Sequence, residues 1–501
     1  MIESNLPVLM IIVPMLGGIL TIFTGRGIGP WLWSVIVTGA TFALSLRLIA
    51  AVSEAGGFIS YPMGSWPPPF GIEYRPDYLS TFVLAIVSGL AVVATIYARA
   101  SVAREIPPER VRFFYALWTL TLTGLLGIAI TGDAFNVYVL LEISSLTLYA
   151  LIALGKDTDR RALPAAFNYL ILGSIGATFI LLGIGYLYME TGTLNIADMA
   201  ARLGPRAEST TVHAALAFLM VGFSLKMALF PLHWWQPNAY AYAPSAVSAF
   251  VAATATKVGV YMAFRFGFSI FAAPEFTVLK TFNGLVLMTF ASLAIVFGAV
   301  KAIEQVNFKK LLAYSSVSQM GYIVLGFAIA DVESLQGAII HILSHALTKG
   351  GLFMVAGILF WHFRSSNIEN LRGAGRRMPL TMAAFVVGGL GLIGIPGTAG
   401  FISKWYLLQG AIEDGLWTLA VVILIGSVLA VVYVWRLVEM IYFQPAPENA
   451  ASEDSAPLKT PWGLLIPTWI LIGGSVVLGV WAPFTTELAG QAARQLLGGA
   501  P

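Results

Sequence analysis

Residues 137–155 read VYVLLEISSLTLYALIALG, a run of nineteen residues whose one charged side chain is Glu142. A helix needs about twenty apolar residues to cross the roughly 30 Å hydrocarbon core of a bilayer. The run therefore predicts a membrane-spanning helix with a carboxylate near its middle. Because a carboxylate in hydrocarbon must pair with a cation or take up a proton, Glu142 is a candidate functional residue.

Apolar runs of this length recur along the whole chain. Of the 501 residues, 58% are hydrophobic and 11% are charged, against roughly 25% charged in an ordinary soluble domain. The composition predicts an all-α integral membrane protein and leaves no room for a sizeable soluble domain. Breaks at charged, proline and glycine residues divide the chain into about fourteen spans. Their predicted bounds are 6–24, 30–52, 77–98, 112–131, 134–155, 162–189, 211–231, 245–271, 280–300, 311–330, 334–362, 378–410, 416–443 and 461–484.

The chain contains no cysteine. Disulfides, thiolate metal sites and cysteine-ligated iron–sulfur clusters are therefore excluded, and any redox chemistry must belong to another chain. The formal net charge of +3 is too small to indicate a nucleic-acid partner. We expect no cofactor.

Basic residues are distributed unevenly between the two sides of the predicted spans. Sixteen lysines and arginines, Lys309 among them, fall in loops on one side, and five, Lys280 among them, fall in the loops and tail on the other. The positive-inside rule places the basic-rich side in the cytoplasm and both termini outside. An even number of spans also requires the two termini to share a side, so the charge and the span count agree.

Seven further basic residues fall within the predicted spans. Three arginines lie toward span ends, where a long side chain can reach the interface: Arg47, Arg265 and Arg436. Four lysines lie deeper: Lys226, Lys257, Lys349 and Lys404. The pKa of a lysine falls readily on desolvation, whereas arginine stays charged. Four deep lysines therefore predict proton transfer, the alternative being static ion pairs between helices.

Two local patterns sharpen this prediction. Glu142 is the natural partner of Lys226, and their ion pair would be either a movable switch or a permanent link between helices. The run HILSHALTKGG places His341, His345 and Lys349 at i, i+4 and i+8, along one helical face. A proton relay is predicted there because histidine titrates near neutrality, with an interhelical hydrogen-bond network as the alternative. No zinc site is expected, since no HExxH glutamate or cysteine supports one.

Two spans are interrupted by proline close to a deep lysine. Pro231 follows Lys226 in KMALFPLHWWQP, and Pro396 precedes Lys404 in GLIGIPGTAGFISKW. Because proline removes a backbone hydrogen bond, such breaks are tolerated at membrane depth only where the freed groups are buried in protein or line a watered cavity. Paired broken helices that carry ionisable groups are typical of repeat-built transporters.

Over roughly residues 75–445 the chain resembles the antiporter-like subunits shared by Mrp-type multisubunit sodium/proton antiporters, NADH–quinone oxidoreductase (complex I) and membrane-bound hydrogenases. Four segments carry the resemblance: NFKKLLAYSSVSQMGYIVLG (307–326), KMALFPLHWWQPNAYAYAPSAVSAF (226–250), HILSHALTKGGLFMVAG (341–357) and GIPGTAGFISKW (394–405). Residues 132–155 look most similar to the D-type branch of the Mrp antiporter subunits.

The resemblance implies a fold of fourteen helices with two inverted five-helix repeats, helices 4–8 and 9–13, in which helices 7 and 12 are broken. The implied division is an N-terminal three-helix segment, two repeats and a C-terminal helix: 1–105, 112–271, 278–443 and 461–484.

The resemblance also implies roles for the ionisable residues. Glu142 would modulate Lys226, and Lys257 would relay protons onward. The central link would be formed by His341, His345 and Lys349, and Lys404 would stand at the exit.

These roles imply a proton-translocating subunit of a sodium/proton antiporter in the plasma (inner) membrane of a bacterium or archaeon, with other membrane subunits as partners. The alternatives are a proton-pumping subunit of an NADH–quinone oxidoreductase or hydrogenase, and a scaffold with a vestigial path.

Overall fold

The computed structural model describes residues 3–271, 282–445 and 457–498. In these ranges the chain folds into nineteen α-helices and one two-stranded antiparallel hairpin, which confirms the predicted all-α fold. The first ten helices are α1 (Leu6–Thr21), α2 (Gly29–Glu54), α3 (Tyr78–Glu105), α4 (Val111–Ile130), α5 (Ala134–Ala153), α6 (Ala162–Thr191), α7 (Ile196–Leu203), α8 (Thr210–Met227), α9 (Gln236–Tyr242) and α10 (Ser245–Ser269).

The second half of the chain contributes nine helices, and the hairpin lies between α2 and α3. The nine are α11 (Met288–Ile303), α12 (Phe308–Ile329), α13 (Val332–Phe363), α14 (Ala374–Arg377), α15 (Pro379–Ile393), α16 (Ala399–Glu413), α17 (Trp417–Tyr442), α18 (Trp462–Val480) and α19 (Pro483–Leu496). The hairpin strands are β1 (Tyr61–Pro62) and β2 (Glu73–Tyr74).

Thirteen helical segments of the described residues are long and apolar enough to cross a membrane. The remaining span consists of α15 and α16, each of fifteen residues, or about 22 Å of helix, which is too short to cross alone. Pairing α15 with α16 and α8 with α9 gives fourteen spans in chain order, with spans 7 and 12 broken as predicted. The predicted start of the second repeat at residue 278, and Lys280, lie outside the described residues.

The two repeats share one local construction on opposite faces of the membrane. An asparagine or aspartate caps the second helix of each repeat and forms an isolated antiparallel bridge to an asparagine that follows the third helix. Five spans separate the two bridges, so they lie on opposite faces, as inverted repeats require. The bridged pairs are Asp133 with Asn195 and Asn307 with Asn367.

The backbone hydrogen bonds that flank these bridges follow the same register. In the first repeat they run from Ala134 N to Leu194 O (2.8 Å) and from Ile196 N to Gly132 O (2.9 Å). In the second they run from Phe308 N to Ser366 O (2.8 Å) and from Ile368 N to Val306 O (3.0 Å).

Glycines let the first two helices of each repeat approach closely. A Cβ atom at Gly124 would lie 2.6 Å from the backbone nitrogen of Ser144, and one at Gly298 would lie 2.5 Å from that of Ser318. Each glycine stands nine residues before the bridge, and each serine eleven residues after it. The equivalence of the repeats therefore extends into the packing of their helices.

Arg265 departs from the expectation that it reaches the membrane interface. It forms a bidentate ion pair with Asp77, with both nitrogen–oxygen distances at 2.7 Å and side-chain exposures of 12% and 11%. Burial acts to raise the pKa of Asp77, but the charge and hydrogen bonds of Arg265 outweigh it and leave that pKa below its ordinary value. The pair links the start of α3 to the end of α10.

Replacing Gly298 by alanine is expected to lower the thermal unfolding temperature of the protein in detergent, because overpacking against α12 is destabilising by about 1–3 kcal/mol. Gly185→Ala on α6 is the matched control, since nothing lies within 4 Å of a Cβ there. That variant should unfold at the wild-type temperature or slightly higher, because alanine favours helix. Equal unfolding temperatures for the two variants would contradict the close approach of α11 and α12.

Candidate functional site

The break in span 7 positions Lys226 at the C-terminal end of α8. The helix stops at Met227, and Ala228 takes a positive φ of 56°. The indole of Trp235 returns to bind the carbonyl of Leu225 at 2.9 Å, which satisfies a group that the break frees. Lys226 is buried against α5, where its ammonium donates to Ser145 Oγ at 3.0 Å.

Glu142 lies one helical turn before Ser145 on the same helix. One of its carboxylate oxygens is buried and has no hydrogen-bond partner among the described residues. Its charge and that of Lys226 attract each other, yet the lysine contacts the serine of α5 rather than the carboxylate. Lys226 therefore contacts α5 one helical turn from Glu142, and no direct hydrogen bond joins the two predicted partners.

Lys257 and Lys349 are fully buried where α10 packs against α13. Lys257 donates to the carbonyl of Ala252, and Lys349 donates to the carbonyl of Leu312 at 3.0 Å and to the hydroxyl of Ser315. The two ammonium groups repel each other. No carboxylate of the described residues contacts either ammonium, so nothing offsets this repulsion and a charge on one disfavours a charge on the other.

The two histidines of α13 continue this line toward the second broken span. The rings of His341 and His345 stack with centroids 6.1 Å apart. His341 bonds to Ser403 Oγ of α16 at 2.8 Å and to Gln319 Oε1 of α12 at 3.0 Å. Both ring nitrogens of His345 are buried without a hydrogen-bond partner among the described residues. The predicted stripe is therefore buried and adjoins α16.

Lys404 follows Ser403 and stands beside the break in span 12. Its ammonium donates to the carbonyls of Leu392 (2.9 Å) and Ile393 (3.0 Å), the last residues of α15, and to Ser427 Oγ of α17 (3.1 Å). It also lies 4.5 Å from the ring centroid of Tyr322. A cation at a helix C-terminus binds freed carbonyls and complements the helix dipole. Lys404 thus supplies hydrogen-bond donors to carbonyls at the end of α15 that the break leaves without helical partners.

A cavity of about 450 Å³ adjoins Lys404. It lies between α16 and α17 and is lined by Trp405, Leu424 and Val428, whose side chains are exposed on the outer surface. Lys404 therefore lines a cavity that opens between exposed side chains of α16 and α17.

Several buried polar groups in this region were not singled out from the sequence. His233 and Gln236 lie at the break in span 7, and Thr256 adjoins Lys257; their side-chain polar atoms have no hydrogen-bond partner among the described residues. Buried polar atoms of this kind are expected to bind water. His233 and Gln236 lie in the segment KMALFPLHWWQP, which predicted the break. Their position close to Pro231 is the sequence feature that could have identified them.

Taken in spatial order, the ionisable groups run from α5 through α8, α10 and α13 to α16, across both repeats. The seven residues predicted from the sequence lie on these helices: Glu142, Lys226, Lys257, Lys349, His345, His341 and Lys404. Glutamate, lysine and histidine are side chains that can take up and release protons when their surroundings shift their pKa values toward neutrality.

Known proteins share both the sequence and the fold. Residues 131–430 match the family described as NADH:quinone oxidoreductase/Mrp antiporter, TM. The N-type subunit of the NADH-quinone oxidoreductase of Desulforudis audaxviator is 41% identical over 490 residues, which cover 95% of this chain and 96% of the relative. The D-type subunit of the Na(+)/H(+) antiporter of Bacillus subtilis is 28% identical over 497 residues, 99% of this chain and 97% of the relative.

A solved structure agrees over nearly the whole chain. A chain of the Mrp complex from Dietzia sp. DQ12-45-1b superposes with a TM-score of 0.89 at 25% identity, covering 99% of this chain and 98% of that one. The match to the family model spans more than half of the sequence. This multi-span membrane protein therefore belongs to the NADH:quinone oxidoreductase/Mrp antiporter family.

Proposed function

We propose that the chain is the proton-translocating subunit of a multisubunit monovalent cation (sodium)/proton antiporter. Protons move along the series from Glu142 and Lys226 through Lys257 and the histidines of α13 to Lys404. The observation that carries the proposal is the chemistry of the lysine partners. Among the described residues, each of the four deep lysines donates only to neutral carbonyl or hydroxyl oxygens.

These neutral partners argue against the alternative of static ion pairs. Of the ion pairs among the described residues, the Asp77–Arg265 pair is the one in which both side chains are largely buried. A buried ion pair that loses its proton leaves an uncompensated charge, which is strongly unfavourable. A lysine bound to carbonyl and hydroxyl oxygens leaves no such charge behind, so it suits a proton carrier.

The assignment to sodium/proton exchange and the membrane setting draw on the relatives and on the loops. The Bacillus subtilis relative is named as part of a Na(+)/H(+) antiporter, and the Dietzia neighbour belongs to an Mrp complex. By analogy the partners are other membrane subunits of a hetero-oligomer in a bacterial or archaeal plasma membrane. The excess of basic residues in the loops on one side supports placing both termini on the outer face.

We further propose the division of the chain into an N-terminal segment (1–105), two repeats (112–271 and 278–443) and a C-terminal helix (461–484). The equivalent bridges of the two repeats support this division.

A second candidate function is a proton-pumping subunit of a redox complex. The 41% identity to an NADH-quinone oxidoreductase subunit favours it. The absence of cysteine means that iron–sulfur electron carriers would belong to partner chains, so this chain would act as a transporter and not as the catalytic subunit. The proton route would involve the same residues.

Reconstituted vesicles that contain the purified complex separate these two functions. Antiport predicts that a sodium gradient imposed without any electron donor drives proton movement. A redox pump predicts no movement under that gradient and movement when an electron donor and acceptor are added.

Replacing Lys404 by methionine or Glu142 by glutamine is expected to slow proton-coupled transport in everted vesicles by more than about tenfold, since each removes a proton-carrying group. Lys301→Met is the matched control, because that lysine is exposed and paired with Glu304. Equal amounts of assembled complex must be present in all samples. Wild-type rates for both pathway variants would overturn the proposal.

Lys404→Arg tests whether the residue carries a proton or only a charge. Arginine retains the positive charge and can still bind the α15 carbonyls, but it does not release its proton in proteins. We expect this variant to transport as slowly as Lys404→Met while its unfolding temperature stays closer to that of the wild type. Restoration of transport by arginine would instead assign Lys404 a static role.

A further inference from the structure

A second cavity, of about 460 Å³, opens on the face that carries the basic-rich loops. It lies where the end of α3 and the start of α10 meet the loops before α6, α12 and α14. Its charged lining residues are Glu105, Asp159, Arg161, Lys309, Lys310 and Arg364. None of them belongs to the pathway described above.

Lys309 is the unexpected member of this lining. The sequence analysis predicted that Lys309 lies in a loop on the basic-rich side. In the structure it lies in the first turn of α12 and is only 3% exposed. Its ammonium lies 5.2 Å from the ring centroid of Phe360. It is 3.3 Å from Ser245 Oγ and 3.4 Å from the carbonyl of Ala243. Within the part of the chain that the structure describes, Lys309 therefore donates only to neutral oxygens, like the pathway lysines.

Glu105 lies on the other side of the same serine. This carboxylate, 8% exposed at the end of α3, accepts hydrogen bonds from Ser101 Oγ at 2.6 Å and from the backbone nitrogen of Ser245 at 2.8 Å. Its charge attracts that of Lys309, but Ser245 bonds to both and no direct ion pair forms between them. The other lining carboxylate, Asp159, is already held by four hydrogen bonds from Arg161, one from its backbone nitrogen and three from its guanidinium.

A polar strip on α12 leads from Lys309 into the pathway. Leu312 stands three residues further along the helix, an axial rise of about 4.5 Å. Its carbonyl accepts a hydrogen bond from Lys349, and Ser315, one turn deeper, accepts another. Gln319 continues the strip to His341. The helix that buries Lys309 therefore also holds the central lysine and histidine of the route.

We propose that this cavity is the port through which protons pass between the aqueous phase at the basic-rich face and the central pathway. Glu105 takes a proton from water in the cavity, Lys309 relays it, and Lys349 receives it. In the inward step a neutral Lys309 amine gains the proton, Glu105 returns to carboxylate, and Lys309 then gives the proton to a neutral Lys349 amine. Only O–H and N–H bonds form and break.

This inference rests on the proposed function, because a port needs a proton pathway to supply. The competing explanation is a static clamp, in which Glu105 and Lys309 merely fasten α3 and α12 to the start of α10. A clamp requires the charges but no exchange of protons, and the experiments below separate the two.

The first test compares Lys309→Met, Lys309→Arg and Glu105→Gln in the assembled complex. Lys310→Met is the matched control, since that lysine lines the same cavity but points at the Tyr242 ring, 5.3 Å from its centroid. We measure proton transport as the pH at the basic-rich face is varied. The port predicts losses of more than about tenfold and a flattened pH profile for all three variants, and a change below about twofold for the control.

The outcomes of this test are distinct. A wild-type rate and pH profile for Lys309→Arg would show that charge alone suffices, and this would overturn the port. Wild-type rates for all three variants, with transport still lost in Lys404→Met, would overturn the port but leave the proposed function intact. Wild-type rates in Lys404→Met and Glu142→Gln as well would overturn the proposed function itself.

A second test does not depend on how the charge variants fold. Because the chain has no cysteine, Ser366→Cys places a single thiol in the cavity lining. A membrane-impermeant thiol reagent should label it only from the basic-rich face and should slow proton transport several-fold. The complex with the unaltered chain controls for cysteines of partner subunits. Labelling that leaves transport unchanged, or labelling from the opposite face, would overturn the port.

Discussion

The hydrogen bonds between Lys404 and the last two carbonyls of α15 show how the protein meets the constraint on which its architecture depends. Hydrocarbon offers no hydrogen-bond partners, so every polar group at membrane depth must be satisfied within the protein. The break in span 12 frees carbonyls that need donors, and a buried ammonium needs acceptors. The break and the lysine therefore stabilise each other, and neither would be tolerated alone at this depth.

The two inverted repeats reuse one set of positions for different contacts. Ser145 and Gln319 each stand twelve residues after the aspartate or asparagine that caps their helix. Ser145 binds Lys226 in the first repeat, and Gln319 binds His341 in the second. Equivalent positions therefore face a basic side chain in both halves, although the base comes from a different helix of each repeat. The repeated backbone positions the polar groups, and the side chains determine how the two halves connect.

Much of the fold and most of the site could be predicted from local sequence. Span length, proline breaks and the spacing of His341, His345 and Lys349 are properties of short segments, and the structure bears out the spans, the breaks and the shared face. Lys309 and Arg265 could not be placed correctly, because their burial depends on helices distant in sequence. Arg265 meets Asp77 across nearly two hundred residues, and Lys309 is enclosed by α10 and α13. The contact between Lys226 and Ser145 could not be predicted either, because it joins residues of α5 and α8 that are 81 positions apart in the sequence.

The hydroxyl partners of the buried lysines have a consequence for how the protein holds a proton. Ser145, Ser315 and Ser427 each bind a lysine of the pathway, and Ser245 binds Lys309. An ammonium has three N–H donors and no lone pair, whereas a neutral amine has two donors and one acceptor site; a hydroxyl can serve as either donor or acceptor. When a lysine loses its proton, the serine can turn its O–H toward the nitrogen and so reverse the direction of the bond without breaking it. Ser315 is the exception, because its O–H already donates to the carbonyl of Leu312. At the other three serines both protonation states have the same number of hydrogen bonds in nearly the same geometry, which allows a proton to pass while the helices stay in place.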